Sequence, residues 1–132
     1  MKSLFALAVS AALCAGGAAY ADCSYPTAPD KLPDGRTATM ADMVTAQKAV
    51  KEFDTAINAY LACIKLEFDD SAKNIQVKPG EKPTDDQKKE LEQLERVHTQ
   101  KHNAALDADQ SLADRFNEQV RVFKARPDQQ KK

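Results

Sequence analysis

Between Thr39 and Asp70 apolar residues recur at spacings of three and four: Met43, Ala46, Val50, Phe53, Ile57, Tyr60, Leu61, Ile64 and Phe68. That period is one stripe on a helix, and it predicts a first helix over about residues 39–73. Thr39 is placed to cap it, with Asp42 three positions on to complete the box and to favour the positive helix end. Asn74 marks the expected end, because asparagine tolerates the left-handed conformation of many C-caps. Pro79, Gly80 and Pro83, set among lysines, make the stretch from Ile75 to Pro83 a connecting loop.

A second helix start follows at once. Thr84, Asp85, Asp86 and Gln87 supply an N-cap, an acidic first turn and a capping-box partner in consecutive positions. From there to Ala125 neither Gly nor Pro occurs, which allows one helix over about residues 84–125, ~63 Å long. Its stripe is thinner: Leu91, Leu94, Val97 or His98, Ala105, Ala108, Leu112, Phe116, Val120 and Phe123. Asp107, Asp109 and Ser111 have mediocre helix propensity, so a break between Asn103 and Ser111, giving a three-helix bundle, is the structural alternative. Arg126-Pro127 ends the pattern, and residues 126–132 read as a disordered polar tail.

The fold class expected is therefore all-α: a long antiparallel helical hairpin over residues 39–125, coiled-coil-like in its helix lengths. The second helix outlasts the first, so Val120, Val122 and Phe123 are expected to project beyond it and seek a partner, through self-association or a client chain. Glu67, Asp69 and Asp70 oppose the dipole at the end of the first helix. Lys88 and Lys89 are expected opposite them across the hairpin. A calcium site at this acidic cluster lacks the loop of spaced oxygen ligands that the ion requires.

Composition agrees with long helices. Apolar residues make up 42% and charged ones 30%, with no Trp and only 4 Gly, a usage closer to a helical protein than to a sheet or a disordered chain. The length of 132 residues leaves room for one domain. The formal charge of −1 implies no strong charge-driven partner.

Residues 1–21 have the three parts of a secretory leader: Lys2, an apolar core from Leu4 to Cys14, and Ala19-Tyr20-Ala21 before the cut. Cleavage between Ala21 and Asp22 is expected, with the mature protein in the periplasm or secreted and without a transmembrane anchor. A lipoprotein acylated at Cys14 is the rival reading, but Leu13 stands where its peptidase needs a small side chain. The mature chain keeps two cysteines, Cys23 and Cys63, and an oxidising compartment closes such a pair. Their disulfide shuts a loop of about 40 residues, worth on the order of 4 kcal/mol in the chain-entropy model. It also ties residues 22–38, extended by Pro26, Pro29 and Pro33, along the first helix, with Tyr25 and Leu32 as apolar contacts. About sixteen extended residues reach ~50 Å, enough for the ~36 Å of helix between Thr39 and Cys63 with slack for a turn at Pro33-Asp34-Gly35.

The catalytic inventory is nearly empty. Gly35 and Gly80 are the mature glycines, so no phosphate loop can be built, and there is no nucleophile elbow and no Cys-x-x-Cys. No enzyme and no cofactor are expected. Glu95, His98 and His102 share a helix face and are the metal candidates. Against them, zinc helices of the His-Glu-x-x-His type place the glutamate between the histidines, where this chain has Thr99, Gln100 and Lys101. Arg121, Lys124, Arg126, Lys131 and Lys132 make a modestly basic end without an aromatic platform, which argues against nucleic acid and leaves weak binding to an anionic surface.

Cys23-Ser24-Tyr25-Pro26, Pro33-Asp34-Gly35, Ala38-Thr39, and then Met43, Gln47, Val50, Tyr60 and Cys63 resemble a pattern in a family of small, uncharacterised exported helical proteins of Gram-negative bacteria. The likeness covers residues 23–67 and not the second helix. It implies a periplasmic or secreted helical protein with a cysteine pair, and it implies no activity, substrate or site residue. The function expected is a non-catalytic binding or interaction protein, chaperone-like or adaptor. An envelope-associated structural protein and a metal-binding protein using His98 and His102 are the alternatives.

Overall fold

The structure, a computed structural model, describes residues 23–75 and 77–129; the expected leader lies outside them. Among the described residues there are two helices and no strand: α1, Met40–Asn74, and α2, Asp85–Lys124. Both starts are double caps. Thr39 Oγ1 accepts the Asp42 N–H at 3.1 Å and an Asp42 oxygen accepts the Thr39 N–H at 2.8 Å. Thr84 and Gln87 repeat the exchange at 3.3 and 2.8 Å. Each cap satisfies donors that a helix start leaves orphaned, an effect of about 1 kcal/mol.

The end of α1 differs from expectation. Asn74 is its last residue, yet no described non-glycine residue has a positive φ, and the cap residue Ile75 sits at φ −77°. The left-handed step comes later in the loop, at Gly80 with φ +85°, where glycine takes it without steric cost.

The second helix runs unbroken through Asn103–Ser111, so the fold is the two-helix hairpin and not the three-helix bundle. Tertiary packing outweighs the mediocre propensity there. Ala104, Ala105 and Ala108 interrupt the poor formers, and Ala105 is fully buried against α1. Two buried clusters fill the seam. Phe53, Ile57, Tyr60 and Ile64 meet Ala105 and Leu112, while Met43 and Ala46 meet Phe116 and Phe123, so the helices run antiparallel.

Residues 23–38 form a third layer, with Leu32 packed against both clusters as expected. Here the structure corrects the overhang. Phe123 is buried and Val120 and Val122 are half-buried, because the turn at Asp34–Ala38 folds back over the end of α2. Gly35 approaches that helix so closely that a Cβ on it would lie 2.2 Å from the Gln119 carbonyl oxygen. Its N–H donates to Gln119 Oε1 at 2.9 Å. The surplus length of α2 is covered by the chain's own turn.

Two further expectations change at the ends. Arg126 belongs to the folded body, not to a tail: its guanidinium donates to the Ala38 carbonyl at 2.7 Å and stacks on the Phe123 ring at 4.8 Å. Lys88 and Lys89 do not face the acidic end of α1; they pair within their own helix with Asp85 and Asp86. Glu67 instead meets Lys101, at 3.6 Å, and Asp69 meets Lys65, one turn back, at 2.7 Å. The helix phase decides this, since a pair three or four residues apart on one helix is always within reach.

Candidate functional site

Two antiparallel helices leave a groove on each side of their seam. The front groove begins under the N-terminal segment. Cys23 and Cys63 are bonded, with Cα atoms 5.8 Å apart, and from there the segment runs toward the start of α1. Tyr25 packs edge-on against Tyr60, ring centres 5.1 Å apart, and its hydroxyl donates to the Ala104 carbonyl at 3.3 Å. Glu67 joins three parts of the chain: one oxygen accepts the Cys23 N–H at 3.0 Å, and the other faces Lys101 of α2.

Beyond Cys23 the groove continues uncovered toward the loop. This open half has a volume of about 300 Å³ and is lined by Ile64, Phe68, Leu94 and Val97, with Glu67, Ser71, His98 and Lys101 as its polar members. An apolar floor with a few polar groups at its rim is the usual make-up of a small binding cleft. Its occupied half shows what the groove accepts: an extended, proline-containing backbone with one aromatic anchor.

The back groove lies at the opposite end. Met40, Met43, Val44, Phe116, Val120 and Phe123 line a cleft of about 340 Å³, and Met40 and Val44 are more than half exposed. Methionines at such an edge adapt to varied apolar partners. Between the two ends, Asp54 and Asp109 face each other across the helices. Burial raises the Asp109 carboxyl above its ordinary pKa, and the neighbouring Asp54 charge adds to the rise.

Of the sequence candidates, His98 and His102 are brought together and Glu95 does not complete a triad with them. The histidine rings lie 6.1 Å apart, and His98 stacks on Phe68 at 4.7 Å. His98 Nε2 is buried with no hydrogen-bond partner among the described residues. Asp69 lies close enough for His98 to act on it, but its pKa is lowered first by the hydrogen bond from Lys65. Among the described residues one trio gathers ligand-type atoms within 4.8 Å of one another: Cys23, Cys63 and Glu67. Its two sulfurs are bonded to each other, so neither is a thiolate ligand in this state.

Sequence reasoning missed the roles of Glu67, Gln119 and Arg126. Their signals were faint. Gly35, read as a turn residue, is also the residue type that permits a close backbone approach, and Arg126 stands directly before the proline that ends the helix pattern. Among the described residues no helix is long and apolar enough to cross a membrane. Compared with family models, with curated proteins and with solved structures, the chain matches none.

Proposed function

We propose that this is an exported, non-catalytic helical binding protein, chaperone-like or adaptor in role. It acts in the periplasm or outside the cell after removal of residues 1–21, and it holds an extended segment of another polypeptide in the front groove. The observation that carries this reading is the groove itself: one half is filled by an extended stretch of the protein's own chain, and the continuing half is open, with Ile64, Phe68, Leu94 and Val97 as its apolar lining beside four polar residues. Extended segments bind such surfaces through a few anchored side chains, with the backbone left unfolded.

The test uses the oxidised mature protein and an unfolding client whose aggregation is followed by light scattering. Val97→Glu places a carboxylate in the open groove, four residues before Lys101, so the helix is kept. Wild type should delay aggregation at near-stoichiometric ratios, and Val97→Glu should lose most of that delay with unchanged helical circular dichroism. A wild type that gives no delay, or a folded Val97→Glu that protects equally well, removes the reading.

A further inference from the structure

We propose that the Cys23–Cys63 disulfide is a redox latch on the front groove. When a dithiol opens it, residues 23–32 leave their bed, and an extended Tyr-Pro-bearing segment of another polypeptide takes their place. The proposal rests on the binding reading above and names the regulation of that same groove.

The two halves of the N-terminal segment are held very differently. Residues 34–38 form a closed turn, with the Thr37 and Ala38 N–H groups both donating to the Asp34 carbonyl. Gln119 and Arg126 then clamp that turn to α2 by side-chain hydrogen bonds to Gly35 and Ala38. Residues 23–32 form no such turn and are held near their ends. Two hydrogen bonds hold them, from the Cys23 N–H to Glu67 and from the Tyr25 hydroxyl to Ala104, beside the Tyr25 ring contact and the Leu32 side chain. Between these contacts Pro26 and Pro29 are half-buried and Thr27 is exposed, and the three line an open cleft of about 390 Å³ with Ala49, Glu52, Phe53 and Ala56. Tyr25 itself remains 48% exposed. The disulfide is therefore the main hold on this arm, and Pro33 lies at the border between the arm and the clamped turn.

The latch is reachable, because both cysteines are only half-buried. A dithiol reduces it by thiol–disulfide exchange. The S–S bond breaks, Cys23 and Cys63 each gain one electron and one proton, and the dithiol loses two of each as it closes to its own disulfide. Once the arm leaves, Tyr60 and Phe53, now 7% and 4% exposed, lose cover. The uncovered bed is then continuous with the open groove, because Glu67 and Lys101 line that groove at the place where Cys23 is bonded.

The arm shows which occupant fits. The bed takes a backbone without internal hydrogen bonds, an aromatic ring edge-on to Tyr60 with a hydroxyl at the Ala104 carbonyl, and a leucine seven residues later that touches both clusters. Tyr25 is followed by Pro26, which keeps such a segment extended at little entropic cost.

The test uses the full mature chain and, as probe, a fluorescent peptide with the sequence of residues 23–32 and serine in place of its cysteine. Binding is read by anisotropy, and backbone 15N order parameters are measured with and without dithiothreitol. The protein's own arm competes from within at about millimolar effective concentration. A Tyr25→Ala, Cys63→Ser double variant, whose arm is weakened, is therefore measured alongside. Reduction should lower the order parameters of the non-proline residues in 24–31 below about 0.6 while residues 34–38 stay at about 0.85. The peptide should bind the double variant and the reduced wild type, in that order of affinity, and leave the oxidised protein untouched. Unchanged order parameters in the arm on reduction, loss of helical circular dichroism on reduction, or no peptide binding to any form would overturn the proposal. So would reoxidation to dimers joined from Cys23 of one copy to Cys63 of another, since the occupant would then be a second copy. The Val97→Glu test above is run on the oxidised protein, so the latch can fail while the binding reading stands.

Discussion

The two ends of the hairpin are built from similar stripes and packed to different depths. At the open end, where α1 begins and α2 finishes, Ala38, Met43, Ala46, Phe116 and Phe123 are all buried, and a third layer lies over them. Toward the loop the burial stops. Past Ile64 in α1, and before Ala105 in α2, no described side chain is buried. Leu91, Leu94 and Val97 carry the same helical period as Leu112 and Phe116 but stay half-exposed. The difference lies in the extended segment, which covers one half of the groove and ends at Cys23. A groove that binds something else should lie in the half with less of its stability committed to packing.

The largest expected effect tests that contrast directly. Leu112→Ala removes a side chain that is 1% exposed and should cost about 3 kcal/mol, by lost transfer energy and the cavity left behind. Leu94→Ala, at the corresponding stripe position near the loop, should cost only about 1 kcal/mol, because it is only partly buried and borders an open groove that water already fills where a cavity would form. Chemical denaturation of both variants gives the comparison, and equal losses would mean that the two ends are equally consolidated.

Most of this architecture was legible in the pattern of residues. Thr39 with Asp42, Thr84 with Gln87, and the two stripes place the helices to within a residue of where they lie, and Cys23 and Cys63, the two cysteines beyond the expected leader, are the bonded pair. What was not legible depends on tertiary neighbours. Counting residues made α2 outlast α1, but nothing in Phe123 itself says that Ala38 will cover it. Asp107, Asp109 and Ser111 read as a weak point because propensity is local, whereas the burial of Ala105 that holds the helix there is not. The pairing of Glu67 with Lys101 rather than Lys88 follows from helix phase across the seam, which no single stripe specifies. Of the candidate site, Ile64, Phe68, Leu94 and Val97 were seen as seam residues. That they border an open groove depends on where the extended segment ends.

The turn over the open end gives the next effect. A Cβ on Gly35 would press on the backbone of α2, 2.2 Å from the Gln119 oxygen and 2.8 Å from the Phe123 nitrogen. Backbone cannot swing aside as a side chain can, so Gly35→Ala should lift the turn and cost about 2 kcal/mol. Hydrogen exchange should then rise in residues 34–38 and in the last turns of α2, with the loop end unaffected. If exchange rose equally along both helices, the two ends would be one cooperative unit and the contrast between them would fail.

The smallest expected effect concerns pH and lies between the two ends. Asp128 and Asp109 titrate in opposite senses. The hydrogen bond from Arg126, then that from Gln129, lowers Asp128 to about 2. A carboxyl depressed in the folded state favours folding above its ordinary value near 3.8, and that contribution fades as pH falls toward 2. Asp109 is raised, by burial and by Asp54. Its proton is bound more tightly in the folded state, so it favours the fold in acid and opposes it once pH rises past the folded value. Removing its charge should therefore help at neutral pH: Asp109→Asn should stabilise the hairpin at pH 7 by about 0.5 kcal/mol, the scale of a partly solvated charge pair. The gain should shrink as pH falls through the carboxylate range, where Asp109 is already neutral. Thermal melts of wild type and variant from pH 7 down to pH 3 measure the two curves. A gain that stays constant across that range would show that asparagine acts through packing or helix propensity, and that Asp54 and Asp109 do not repel each other in the folded protein.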